Sequence, residues 1–228
     1  MAIMNSSDSA LVNLLILHLK DQVSSDEIPS FRGAVIQSLD NKSLLFHNHV
    51  EDGFRYAYPL IQYKRIAGKA ALVCINQGTK EVNELLESQP VSFRLKNHKI
   101  DFKIENITSA AHVVKIEETM TTYRLRRWIP LNSSNYAKFK EMDSMVEKIH
   151  FLEKMLVGNL LSFAKGVGVR FTQDVKCTIL EISSSYQSKV KGVSMQCFDL
   201  LFRTNVSIPD YIGIGKHASI NYGVVAHF

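Results

Sequence analysis

The sequence predicts an α+β fold in two units, antiparallel strands backed by helices, with a ferredoxin-like pattern in the first unit. Three observations predict it. Over the first half, apolar alternation and helical spacing follow one another as β-α-β-β-α-β, the order that gives a four-stranded antiparallel sheet with two helices on one face. That pattern is complete by about residue 107 of the 228, so a second unit must follow it. The hydrophobic content of 46% is that of a globular protein and excludes a largely disordered chain.

Taken in order, Leu11 to Lys20 reads as the first strand. Ser24-Ser25-Asp26-Glu27 is a helix start, and Phe31, Val35, Ile36 and Leu39 continue it at helical spacing. Asp40-Asn41-Lys42 breaks that pattern. Arg55 to Lys64 and Lys69 to Ile75 read as strands joined in a hairpin at Gly68. A second helix runs from about Thr79 to Ser88 and stops before Pro90, and strands fit Val91 to Leu95 and Ile100 to Ile104. Small residues at Ser109-Ala110-Ala111 mark the join, giving domains of 1–107 and 108–228. The second domain opens with a long strand, Val113 to Ile129. A helical region over Ser134 to Lys165 follows, broken near Asp143 or Ser144, with Ile149, Leu152, Leu156, Leu160 and Phe163 as one apolar stripe. Lys176 to Ile182, Gly192 to Met195 and Phe198 to Thr204 complete it as strands.

A formal charge of +5 and a pI near 9.0 favour a polyanionic partner. Cys74, Cys177 and Cys197 lie far apart with no C-x-x-C spacing, which reads as buried thiols in a reducing cytoplasm. The apolar run Leu11 to Leu19 is too short to span a bilayer and is preceded by Ser6-Ser7-Asp8 where a signal peptide carries Lys or Arg. The expectation is a soluble cytoplasmic protein with no membrane partner.

The most informative stretch is Leu44-Leu45-Phe46-His47-Asn48-His49-Val50. In an extended chain, residues two apart share a face, so His47 and His49 would stand about 7 Å apart on one surface, set by strand rise. Such a pair can flank one phosphate. RNA carries its own nucleophile, the 2′-hydroxyl, and its in-line attack on phosphorus needs a base, an acid and a donor for the developing charge, but no metal. Histidine supplies base or acid at neutral pH. Arg55, Tyr56 and Lys64 lie just downstream, and no acidic residue occurs between Arg55 and Lys80. An H-x-H pair is also half of a zinc site, and that reading stays open, although neither H-E-x-x-H nor C-x-x-C accompanies it.

Basic and glycine-rich segments extend the candidate surface. Arg124, Arg126, Arg127 and Trp128 combine charge with an aromatic ring, and strand alternation puts Arg124 and Arg126 on one face. Lys165-Gly166-Val167-Gly168 is a helix stop or a phosphate contact. The tail Gly213-Ile214-Gly215-Lys216-His217-Ala218-Ser219-Ile220-Asn221-Tyr222-Gly223 has no acid after Asp210, and its glycines permit tight turns or close approach of backbone amides to phosphate.

Together these segments resemble the b-type branch of the CRISPR-associated Cas-six endoribonucleases, in the repeat-associated mysterious protein (RAMP) superfamily. The resemblance rests on Leu45-Phe46-His47-Asn48-His49, Tyr58-Pro59-Leu60-Ile61-Gln62-Tyr63-Lys64, Gly158 to Gly166, Asn205-Val206-Ser207-Ile208-Pro209-Asp210 and the terminal glycine loop, in succession over nearly the whole chain. It implies two tandem ferredoxin-like (RRM-like) domains. It also implies cleavage of precursor CRISPR RNA within its repeats, with no cofactor and no metal, leaving a 2′,3′-cyclic phosphate and a 5′-hydroxyl. By that match His49 is the general base, His47 the acid or phosphate donor, and Tyr56 orients the 2′-hydroxyl or the phosphate. The RNA-binding set is Arg55, Lys64, Arg124, Arg126 and Lys165 with Gly213, Gly215, Lys216 and Gly223 of the loop. One residue departs from the family's tail, which carries glycine where Asn221 stands; Asn tolerates positive φ, so the turn is expected to survive. The alternative reading on the same fold is a non-catalytic RNA-binding subunit of a CRISPR effector complex. Other effector subunits are candidate partners, and an exposed sheet is compatible with a homodimer.

Overall fold

The computed structural model describes residues 8–39, 49–50, 53–54, 58–88, 92–96 and 98–228. The chain divides into two compact units. One is Leu11–His112 together with Ser219–Asn221; the other is Val113–Ala218 with Tyr222–Phe228 and the N-terminal segment up to Ala10.

In the first unit, β1 (Ala10–Gln22) leads through a 3₁₀ turn (Ser25–Glu27) into α1 (Ile28–Gln37). Ser24 and Glu27 form the capping box at this entry, as the Ser-x-x-Glu spacing dictates. Short strands β2 (His49–Val50) and β3 (Gly53–Phe54) pair with each other and precede β4 (Ile61–Ile66), β5 (Lys69–Ile75) and α2 (Gly78–Ser88). A second small hairpin, β6 (Ser92–Arg94) and β7 (Lys99–Asp101), comes before β8 (Ile104–Val114). The sheet order is β4-β5-β1-β8, which is the ferredoxin-like arrangement when these strands are counted second, third, first and fourth. Phe31 of α1 holds the helix to this sheet and to the β6–β7 hairpin through edge-on contacts with Tyr63 (5.8 Å) and Phe93 (5.7 Å).

The second unit repeats the plan. β9 (Ile116–Trp128) is followed by α3 (Ser133–Glu141), α4 (Met145–Gly166), β10 (Cys177–Val190), β11 (Val193–Val206) and β12 (Val224–His227), in the order β10-β11-β9-β12. Leu152, Leu156, Leu160 and Phe163 of α4 are buried, as the apolar stripe required. In place of a second helix between β11 and β12, residues 207–223 form the glycine-rich loop.

Several expected elements are corrected. The strand expected from Arg55 starts at Ile61: Pro59 has no N–H to give a ladder, and Arg55 lies outside the described residues. The fourth sheet strand is β8, not Ile100 to Ile104, and Ser109-Ala110-Ala111 lies inside it; small residues on an exposed edge strand carry no apolar periodicity to read. Positive φ at the end of α4 falls on Gly168 (φ 90) and not on Gly166, which is still helical. β10 continues through the polar run Ser183 to Lys189 because it is an edge strand, and the hairpin closes on Lys191 (φ 49) and Gly192 (φ 83), the two left-handed residues such a turn needs.

Candidate functional site

Of the histidine pair, His49 lies in β2, its backbone paired with Phe54. His47, Arg55 and Tyr56 lie outside the described residues. Downstream of them the chain is stitched into β4 by Gln62, whose amide donates to the Tyr58 hydroxyl (2.9 Å) and the Pro59 carbonyl (3.0 Å).

Lys64 is not a surface cation. On β4 both faces are packed, and the Lys64 side chain is 0% exposed, so burial pushes its ammonium down to about 7. Its place in the acid-free stretch after the histidines predicts an RNA contact; the sequence could not show that this strand is covered on both sides. Arg124 and Arg126 are exposed and alternate with buried Tyr123 and Leu125, which puts them on the same face as expected. The Arg124 guanidinium lies 5.1 Å from the centre of the Phe228 ring. Arg127 leaves the alternation through a left-handed backbone (φ 54) opposite Asp199, where its N–H donates to the Asp199 carboxylate (2.6 Å). Lys165 is exposed in the last turn of α4.

The loop between β11 and β12 is organised by its glycines. Gly213 bridges to Val224. At Gly215 (φ 83) a side chain would strike Asn159 and Trp128, whose indole N–H donates to the Asn159 side-chain oxygen (2.9 Å). At Gly223 (φ 59) a Cβ would overlap the Ile214 carbonyl, and the Gly223 carbonyl accepts from the Ile214 N–H (2.8 Å). Asn221 holds φ 67, so the turn survives the departure from the family tail. Its side-chain oxygen also accepts from the Arg65 N–H (3.1 Å). Lys216 is exposed, while the adjacent His217 is held neutral by burial first and by Lys216 and Lys191 second, its pKa lowered. Tyr222 takes a hydrogen bond from the Arg127 guanidinium (3.0 Å), which also lies over its ring at 4.6 Å.

Arg127 and Trp128, expected from sequence as part of the basic candidate surface, instead support the loop together with Asn159 and Tyr222, and the Trp128 ring is fully buried. For Asn159 the signal is a polar residue adjacent to the buried stripe position Leu160. Among the described residues, no group of three or more His, Cys, Asp or Glu side chains is placed to hold a metal ion, and no helix is long and apolar enough to cross a membrane.

Models of two domains match most of this chain: the Cas6b N-terminal domain over residues 11–113 and the Cas6b C-terminal domain over 115–228. The chain belongs to the Cas6b family. It is similar to a crystal structure of Cas6b, with a TM-score of 0.85 and 22% identity over 96% of this chain and 100% of that one. A crystal structure of the CRISPR RNA processing endoribonuclease Cas6b superposes with a TM-score of 0.74 at 23% identity, covering 96% of this chain and 99% of the other. At such identities the likeness speaks for the tandem ferredoxin-like fold. An uncharacterized protein of Methanocaldococcus jannaschii is 37% identical over 111 residues, 48% of this chain and 74% of its own length. In this chain the glycine loop takes the place of the second helix of the C-terminal domain, and its glycines at 215 and 223 are set by close packing.

Proposed function

We propose that this protein is an endoribonuclease that cuts precursor CRISPR RNA within its repeats without a divalent metal. The observation that carries the reading is the His47-Asn48-His49 run in a chain matched by Cas6b domain models through both halves. A solved relative of the same fold is named a CRISPR RNA processing endoribonuclease.

In this reading His49 takes the proton of the 2′-hydroxyl, whose oxygen attacks the neighbouring phosphorus. The bond from phosphorus to the 5′-oxygen breaks, His47 protonates the leaving oxygen, and Tyr56 orients the reacting group. The products are a 2′,3′-cyclic phosphate and a 5′-hydroxyl. Arg55, Arg124, Arg126, Lys165 and Lys216, with the glycine loop, contact the RNA backbone; Lys64, being buried, is given no such contact.

The test is incubation with the protein's own repeat RNA in excess chelator between pH 6 and 8. Cleavage to a cyclic-phosphate end is expected, and His49→Ala should slow it by about 10²-fold or more, the usual worth of a general base, with RNA binding retained. Intact RNA bound by the wild type would instead mark a non-catalytic RNA-binding subunit. Cleavage restored only by zinc would assign the histidines to a metal.

A further inference from the structure

The β6–β7 hairpin of the N-terminal unit has two unlike faces. Phe93, Leu95 and Ile100 are buried, and Phe93 is wedged between Phe31 (5.7 Å) and Phe102 (5.3 Å). Arg94, Lys96 and Lys99 are exposed. The turn is closed by the Leu95 N–H donating to the His98 carbonyl (2.8 Å), and register sets Arg94 directly opposite Lys99. Like charges directly opposite across a ladder repel, so this pairing opposes the hairpin that carries it. The aromatic anchor holds the two cations in place regardless.

The same residues line a concavity of about 380 Å³: Arg94, Leu95, Lys96, His98 and Lys99. Among the described residues no carboxylate lines it. Glu27, the acid that His98 contacts (2.9 Å), also takes hydrogen bonds from the N–H and hydroxyl of Ser24 (2.9 and 3.0 Å). His98 is therefore fixed in orientation by a partner behind it. Asp101 lies at the far end of the hairpin, opposite Ser92, with Lys103 at 3.9 Å.

We infer that the outer face of this hairpin is a phosphate-binding site for the RNA backbone, with Arg94, Lys96 and Lys99 as its cations. An anion between Arg94 and Lys99 converts their repulsion into two charge-assisted hydrogen bonds, which Arg can make in bidentate form. The site reads no sequence; it positions the strand. The inference rests on the proposed function, since it takes RNA as the polyanion.

The test measures affinity for repeat RNA by fluorescence anisotropy over a range of salt concentrations, using the full chain. Each phosphate contact on a single strand contributes about 0.7 to the slope of log K against log salt, so R94A/K96A/K99A should reduce the slope by about 2. Its affinity should fall by about tenfold or more at the upper end of that range, while cleavage at saturating RNA is unchanged. K96A alone, at an exposed position of the turn, should reduce the slope by about 0.7, which gives a result independent of the stability of the triple variant. R94K/K96R/K99R should keep the wild-type slope. An unchanged slope in both alanine variants, with wild-type cleavage intact, overturns the hairpin site alone. A wild type that neither binds nor cuts repeat RNA overturns the proposed function and this inference with it.

Discussion

Lys64 shows how one side chain can be misread from pattern and yet have a measurable consequence. Its pKa falls to about 7 from an ordinary 10.5 because burial penalises the ammonium. Between those values the unfolded chain holds a proton that the native protein has released. Stability therefore rises with pH across that window, by at most about 1.4 kcal/mol per pH unit for one proton, and below it the native state carries the full cost of a buried charge. Denaturant unfolding of wild type and Lys64→Met from pH 6.5 to 9.5 should give a stability difference that shifts in favour of the wild type as pH rises; a flat difference would show that Lys64 stays charged. The neighbouring Tyr58 and Tyr63, both pushed up by burial, occur in both proteins and drop out of the comparison. The sequence disclosed the residue types of the candidate site but not this burial, because alternation along a strand cannot report what covers its second face.

At the level of elements, the strongest local signals were readable and the tertiary ones were not. The break expected near Asp143 or Ser144 is the N-cap of α4, where the Ser144 hydroxyl accepts from the Glu147 N–H (3.1 Å) and Glu147 reaches back to the Ser144 N–H (3.4 Å). β12 and most of β8 escaped the sequence reading: the first is a four-residue strand defined by pairing with β9, and the second is exposed along nearly its whole length. The glycine loop was legible as a set of residues, but its reason is steric. Gly223→Ala should cost about 3 kcal/mol, since it adds left-handed strain to an overlap with the Ile214 carbonyl. Gly168→Ala, also left-handed but with nothing within 4 Å of the added carbon, should cost only about 1 kcal/mol. Chemical denaturation of the two variants separates strain from collision; equal losses would mean that the loop relaxes around the new methyl group.

Across the whole molecule, the same strand order occurs twice, and the first sheet is completed from the far end of the chain. The Tyr63 N–H donates to the Ser219 carbonyl (2.7 Å) and the Arg65 N–H to the Asn221 side chain (3.1 Å), so the outer edge of β4 is covered by residues of the tail. Nothing in either local sequence announces a contact between residues 156 apart. Asn221→Gly keeps the turn but removes the acceptor for Arg65. The net worth of such a bond is about 1 kcal/mol, so amide exchange at Arg65 should quicken by about fivefold while that at Tyr63, held by a backbone carbonyl, stays as it is. Equal quickening at both amides would mean that Asn221 anchors the tail as a whole.

That cover has a consequence for biosynthesis. On the ribosome, β4 and β5 emerge and can pair long before Ser219–Asn221 are translated, leaving the outer rim of β4 open to any strand in the vicinity until the tail arrives. A nascent chain stalled before Ser219 would keep that rim unsheathed, because the carbonyl and side chain that cover it have not yet been made.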